Sequence, residues 1–272
     1  MIKGFLKDAR HYQILFLGTF LLYGTFILDW DTHPDHYIVI FSTALLTQYA
    51  GIRFLKLPAN SWKSAMITTL GLCLLLKANH WSICALAAFL AIASKFLIRS
   101  NGKHIFNPGN FGIVAVILLT GQAWISPGQW GSGAILLFLV GILGSAVVHK
   151  VNRLDTSFAF IGTLMALQAW RNLVYQGWPF DYFVQQFTNG SLLLFTFFMI
   201  TDPVTTPNHK TARIIWSILI AALSFYLSNY KFINGAPVWV LFFIAPLTPL
   251  FDKIFKASRF EWLKPTVAKA SH

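Results

Sequence analysis

Asn189-Gly190-Ser191-Leu192-Leu193-Leu194-Phe195-Thr196-Phe197-Phe198-Met199-Ile200-Thr201-Asp202-Pro203-Val204-Thr205-Thr206-Pro207 reads as a short apolar helix that runs straight into a polar stop. Asp202 precedes a proline, which disfavours the α region in the residue before it, so the helix is predicted to end there. Gly190 and Ser191 put small residues at the other end, where a helix or a flat ligand can approach closely. A short, polar-capped helix inside a membrane is a device for building sites. Its expected partner is Phe106-Asn107-Pro108-Gly109-Asn110.

The surrounding chain fits that setting. Of its 272 residues, 56% are hydrophobic and only 11% charged, and the mean hydropathy is +0.60. Soluble domains carry roughly 25% charged residues. The composition therefore predicts a single polytopic membrane domain over residues 1–272, with the lipid bilayer as its solvent. The opening Met1–Arg10 is basic, and the apolar run after it lacks a small-residue cleavage site, so it reads as a retained first span. The net charge of +12 is better explained by Lys and Arg collecting in cytoplasmic loops than by nucleic-acid binding. Cys73 and Cys84 sit in apolar runs and read as small hydrophobes. Two cysteines are also too few for an iron–sulfur cluster, which usually takes four ligands.

A span needs roughly 20 apolar residues, fewer where protein shields it. Ten candidates follow in order: 12–28, 37–55, 64–76, 81–98, 110–124, 133–149, 156–174, 189–200, 212–227 and 236–251. With a cytoplasmic N-terminus, 18 of the 21 basic residues fall on the inside, leaving only Lys77, Arg171 and Lys231 outside. This bias predicts cytoplasmic termini and a multi-pass protein of the inner (cytoplasmic) membrane. Trp124, Trp130, Trp170 and Trp178 fall on the outer side as interface anchors. Spans 3 and 8 are both short and open with small residues. Spans 5 and 10 both follow an Asn-Pro or Asn-Gly turn. Matching short, interrupted segments predict an inverted repeat with a site between its halves. The expected fold is all-α, with repeat 1 over about 10–125, repeat 2 over about 130–254 and a basic tail over 255–272.

Charge is absent from the middle of every span, which argues against a proton relay within the chain. Asp155, Asp202 and Asp252 lie at span ends, and capping is the favoured role for the first two. No histidine lies at mid-span, so axial haem ligation is not expected. Phosphate-loop, zinc-protease and Ser-His-Asp patterns are missing too, and no metal site is expected.

The stretch Phe197-Phe198-Met199-Ile200-Thr201-Asp202-Pro203-Val204-Thr205 resembles the D subunit of the Rnf electron-transport complex and the B subunit of the sodium-pumping NADH:quinone oxidoreductase. Asn107-Pro108 after Gly102-Lys103-His104-Ile105-Phe106 matches a second motif of that family, and Ile244-Ala245-Pro246-Leu247-Thr248-Pro249-Leu250-Phe251-Asp252 a third. The similarity runs through most of Ser64–Asp252, and the chain looks closer to short stand-alone relatives, including those in enediyne biosynthesis clusters, than to the longer Rnf subunits. The resemblance implies ten helices in two inverted halves. It also implies a flavin, because a threonine near the start of span 8 carries FMN in that family. Here that position is Leu192, which has no hydroxyl, so any FMN or riboflavin is expected to be noncovalent.

Two functions follow as expectations. One is a membrane redox subunit that holds a noncovalent flavin or quinone between the repeats and meets a partner protein or membrane complex. Gly190, Ser191 and Thr196 would line its site, and Asn107, Asn110, Thr201 and Asp202 would shape the cytoplasmic mouth. The alternative is a transporter or channel for a small organic molecule such as a flavin or hydrophobic metabolite. A purely structural assembly role is the third reading, since a fold alone does not set a function.

Overall fold

The computed structural model describes residues 8–30, 33–55, 61–126 and 134–262. Trp130, the start of span 6 at Gly133, and Lys3, Lys7, Lys56, Lys264 and Lys269 lie outside the described residues, as does the tail beyond Trp262. The described chain is mostly helical. In order come α1 (Ala9–Phe26), α2 (Pro34–Leu55), α3 (Trp62–Leu75), β1 (Leu76–Ala78), α4 (Trp81–Leu97), β2 (Arg99–Ser100), β3 (Lys103–His104), α5 (Pro108–Thr120) and β4 (Ala123–Ile125). There follow α6 (Ala134–Lys150), α7 (Leu154–Ala169), a π-helical turn Trp170–Tyr175 and the short α8 (Phe180–Gln185). The last three are α9 (Gly190–Met199), α10 (Lys210–Tyr230) and α11 (Ala236–Ile254). Among the described residues, α2, α10 and α11 are long and apolar enough to cross a membrane by themselves, and several other apolar helices are shorter.

Two antiparallel strand pairs add to the all-helical expectation. In the first, Leu76 pairs with Ile125 and Ala78 with Ala123. Trp124 therefore sits in a strand rather than at the end of a helix. The pairing has a physical reason. α3 has 14 residues, about 21 Å of helix, against a hydrocarbon core of about 30 Å. Three extended residues add about 10 Å. Extended backbone at membrane depth must be shielded and hydrogen-bonded within the protein, and Leu76, Ala78 and Ala123 are buried. The second pair, β2 with β3, turns at Asn101 and Gly102, both with positive φ (50° and 73°). That is the backbone a two-residue hairpin favours.

Helix ends follow local chemistry. Asn107 caps α5, with Pro108 in the first turn, and Asn189 caps α9. α9 widens into a π-helix over Phe195–Met199, a feature frequent at functional sites. Pro246 and Pro249 fall where α11 tightens into a 3-10 turn at Ala245–Leu247. In the first half, α1 packs on α3, α3 on α2, α2 on α4 and α4 on α5. In the second, α6 packs on α9, α9 on α7, α7 on α10 and α10 on α11. One core cluster runs through both halves, with Leu17, Leu74, Ile113, Phe160, Phe195 and Trp216 among its members.

Candidate functional site

Two cavities lie between the halves. The inner one is walled by apolar side chains such as Leu17, Ile67, Leu74, Leu194 and Phe198, and encloses about 780 Å3 of empty space, its open mouth included. Polar groups gather at one end: Asn107, Thr201 and Asp202, with Gln13 and Thr68 nearby. Gly71 also lines it, and a Cβ built there meets nothing within 4 Å.

The polar end is held rigidly. Asn107 Oδ1 accepts from Asn110 N–H at 3.1 Å, and Asn107 Nδ2 donates to Met199 O at 3.2 Å and Asp202 Oδ2 at 3.4 Å. The start of α5 is thereby tied to the end of α9. Asp202 Oδ1 accepts from Val204 N–H at 3.0 Å, and Thr201 Oγ1 donates to Phe197 O at 2.6 Å. Burial pushes the Asp202 carboxyl above its ordinary range, opposed by the Val204 N–H and by Lys95.

Two cations brace the turn that follows. Arg153 Nε donates to Thr206 Oγ1 at 3.2 Å and its Nη2 to Pro203 O at 3.4 Å. Lys103 Nζ donates to the Thr206 carbonyl and to Asp252 Oδ2, the latter at 2.9 Å. Burial lowers Arg153 to about 10, with Arg213 adding to the effect. It also lowers Lys103, although Asp252 opposes this. Asp155, expected to cap, accepts from its neighbour Thr156 N–H at 3.0 Å and also pairs with Arg213 at 2.6 Å.

The outer cavity has a different character. It encloses about 1030 Å3 on the same terms and is lined by Ser191, Leu192, Gln168, Gln186, Ser224 and Ser228, among others. Ser191 Oγ donates to Asn189 Oδ1 at 2.8 Å, and Gln186 Oε1 accepts from Asn172 Nδ2 at 3.0 Å. Gln168 Oε1 and Ser224 Oγ are buried without a partner among the described residues. Charged side chains are absent from its described lining. Leu75 lines both cavities.

The residues singled out from sequence are thus divided. Asn107, Thr201 and Asp202 meet at the inner cavity, and Ser191 faces the outer one beside Leu192. Asn110 is fully buried between them. Its Nδ2 donates to Val238 O at 2.7 Å and lies 3.8 Å from Met199 Sδ. Gly190 and Thr196 line neither cavity. Gly190 is buried in the first turn of α9. Thr196 is fully buried, its Oγ1 donating to Leu192 O at 2.7 Å while its carbonyl accepts from Ser157 Oγ at 2.8 Å. Sequence reading missed Gln168, Ser224 and Ser228. The four-residue spacing of the two serines, which places them on one helix face, is the signal that would have found them.

Comparison with known proteins matches residues 117–261 to a family model described as the NQR2, RnfD, RnfE family. Two curated relatives are similar to this chain, and each is named as the D subunit of an ion-translocating oxidoreductase complex. The one from Stutzerimonas stutzeri is 29% identical over 136 residues, which cover 47% of this chain and 36% of the relative. The one from Tolumonas auensis is 29% identical over 138 residues, covering 49% and 35%. The matched stretch spans about a third of each relative's own length. With its succession of apolar helices, the chain is a helical, multi-pass membrane protein, and it belongs to the NQR2, RnfD, RnfE family.

Proposed function

We propose that this chain is a membrane redox subunit that holds a noncovalent flavin, FMN or riboflavin, or a quinone in the inner cavity. The observation that carries this reading is the cavity's division of labour. Its walls are apolar and suit a flat ring, while the edge formed by Asn107, Thr201 and Asp202 presents acceptor oxygens, its own donors being engaged by Met199, Asp202 and Phe197. Apolar pockets with a few convergent polar groups are the usual form of cofactor sites. Gly71 leaves room for a ring to lie against the backbone. Leu192 offers no oxygen for covalent attachment. The relatives are named as part of an ion-translocating oxidoreductase complex, which supports work beside other subunits in a membrane complex.

The cavity is read as lying between two inverted five-helix repeats, with ten spans, both termini cytoplasmic and the protein in the cytoplasmic membrane. Packing supports the repeat. The order α1-α3-α2-α4-α5 in the first half matches α6-α9-α7-α10-α11 in the second. Across the halves, α1 packs on α6 and α5 on α11, so equivalent elements meet as a two-fold axis requires.

The test is the absorption spectrum of the purified protein, followed by mass spectrometry of the denatured extract. Isoalloxazine bands that leave on denaturation are expected. A colourless protein that binds neither added flavin nor added quinone would overturn the reading.

One observation favours the second reading, a transporter for a small organic molecule. The two cavities meet at Leu75, which lines both, as the halves of an alternating-access pathway would. Riboflavin uptake into proteoliposomes above that of protein-free vesicles would support it; no uptake would remove it.

A further inference from the structure

Beside the mouth of the inner cavity lies a third pocket, enclosing about 1020 Å3 on the same terms, and its lining is strongly basic. It shares Ser64, Pro108, Asp202 and Trp262 with the inner cavity, so the two are neighbouring compartments. Four cations line it, Arg10, Lys95, Arg99 and Arg259, against two carboxylates, Asp202 and Glu261. Arg10 is already engaged, because Asp8 accepts from it at 2.8 Å and from Lys63 at 2.9 Å.

The other three cations are not matched in this way. Lys95 is buried, and among the described residues Nζ donates to the neutral Gln48 Oε1 at 3.2 Å. Asp202 acts on it only at longer range. Arg99 donates to Gly102 O at 2.7 Å, and Arg259 donates to the carbonyls of Asn101 and Gly102. None of the three forms an ion pair among the described residues. His104, in the same lining, has a buried Nδ1 without a partner. An ammonium held out of water without a counter-ion is costly, and the cost is relieved if an anion binds. Clustered guanidinium and ammonium groups match the oxygens of a phosphate.

We propose that this pocket binds a phosphate group through Lys95, Arg99 and Arg259, and that it thereby selects FMN over riboflavin when the flavin ring lies in the inner cavity. The flavin half of this proposal rests on the reading of the inner cavity given above. Burial, together with the charges of Lys95 and Arg99, lowers His104 to about 4, and a bound phosphate opposes that shift.

The test is fluorescence titration of the full chain in detergent with FMN and with riboflavin, which share a ring and differ in the phosphate. FMN is expected to bind at least about tenfold more tightly, a factor that one well-formed charged contact supplies. Lys95→Gln is expected to bring FMN to the riboflavin level and leave riboflavin unchanged. Arg99→Gln and Arg259→Gln, both at exposed positions, do the same in part and keep the test valid if Lys95→Gln does not fold. Equal affinity for the two flavins overturns the proposal. If neither flavin binds, the ring-site reading fails and the phosphate site is tested alone. Thermal stability is then compared in inorganic phosphate against chloride at equal ionic strength, and in phosphatidylglycerol against phosphatidylcholine nanodiscs. Stabilisation that Lys95→Gln abolishes supports the phosphate site and identifies its source as the free ion or the lipid headgroup. No such stabilisation overturns it.

Discussion

The inner and outer cavities occupy the same interface between the halves, yet their polar groups are treated in opposite ways. At the inner cavity, Asn107 and Asp202 are tied to each other and to the backbone of Met199 and Val204. At the outer cavity, Ser191 and Gln186 are bonded, but Gln168 Oε1 and Ser224 Oγ have no partner among the described residues. A bonded cluster is preorganised and presents its remaining acceptor oxygens to a ligand at fixed positions. Unpartnered neutral groups are either served by water or await a ligand of their own. The difference is the ground on which the proposed ring site is assigned to the inner cavity.

The largest expected effect tests that assignment directly. Gly71→Leu puts a side chain into the inner cavity, where a new Cβ meets no neighbour, and leucine also has the better helix propensity. Flavin affinity is expected to fall by about a hundredfold or more, since a filled pocket forfeits at least a few kcal/mol of contact, while the protein stays folded. Ser191→Leu, at the outer cavity, is expected to leave affinity unchanged. The reverse pattern, read by flavin titration of the two variants, would move the ring to the outer side.

An acid titration separates the two sides next. His104 belongs to the inner side, and its folded-state value near 4 lies below the ordinary 6.5. The unfolded chain therefore holds the extra proton between those values. The stability contribution is complete above pH 6.5 and is lost as pH falls toward 4. The loss is on the order of 3 kcal/mol at most. Thermal melts of the wild type and His104→Gln across this window check it, with the variant expected to fall less steeply.

Asn110 joins the two regions. Asn110→Leu removes the donor to Val238 O, with an expected cost of about 1 kcal/mol by thermal unfolding. The smallest effects belong to the outer cavity. Because Gln168 Oε1 and Ser224 Oγ have no partner, Ser224→Ala is expected to shift stability by less than about 1 kcal/mol, or to raise it. A large loss in that variant would show that Ser224 is bonded to water or to a ligand.

Much of the fold was legible because membrane insertion writes itself into composition. Apolar runs marked the helices, and the stops at Asn107-Pro108 and Asp202-Pro203 act through local backbone rules. Those two motifs meet at the inner cavity. The pairing of Leu76–Ala78 with Ala123–Ile125 was not legible. It joins residues far apart in sequence, and an extended apolar segment looks like the end of a helix when read alone. Thr196 misled for a related reason. A hydroxyl one turn beyond Leu192 looks available, but here it turns back to the Leu192 carbonyl, as threonine often does inside helices. The charged pocket escaped because Lys95 lies in the last turn of α4, where a lysine reads as a membrane-interface residue. Its lack of a counter-ion is a fact of three dimensions.

Leu75, shared by both cavity walls, has a consequence in electrical terms. A partition one side chain thick is opaque to molecules and transparent to electrons, which tunnel across such gaps without any atom giving way. A redox device can leave this partition fixed and work as a conductor through an insulator. A carrier of solutes has to open it on every cycle. Whether Leu75 is still or moving during turnover therefore separates the two kinds of machine.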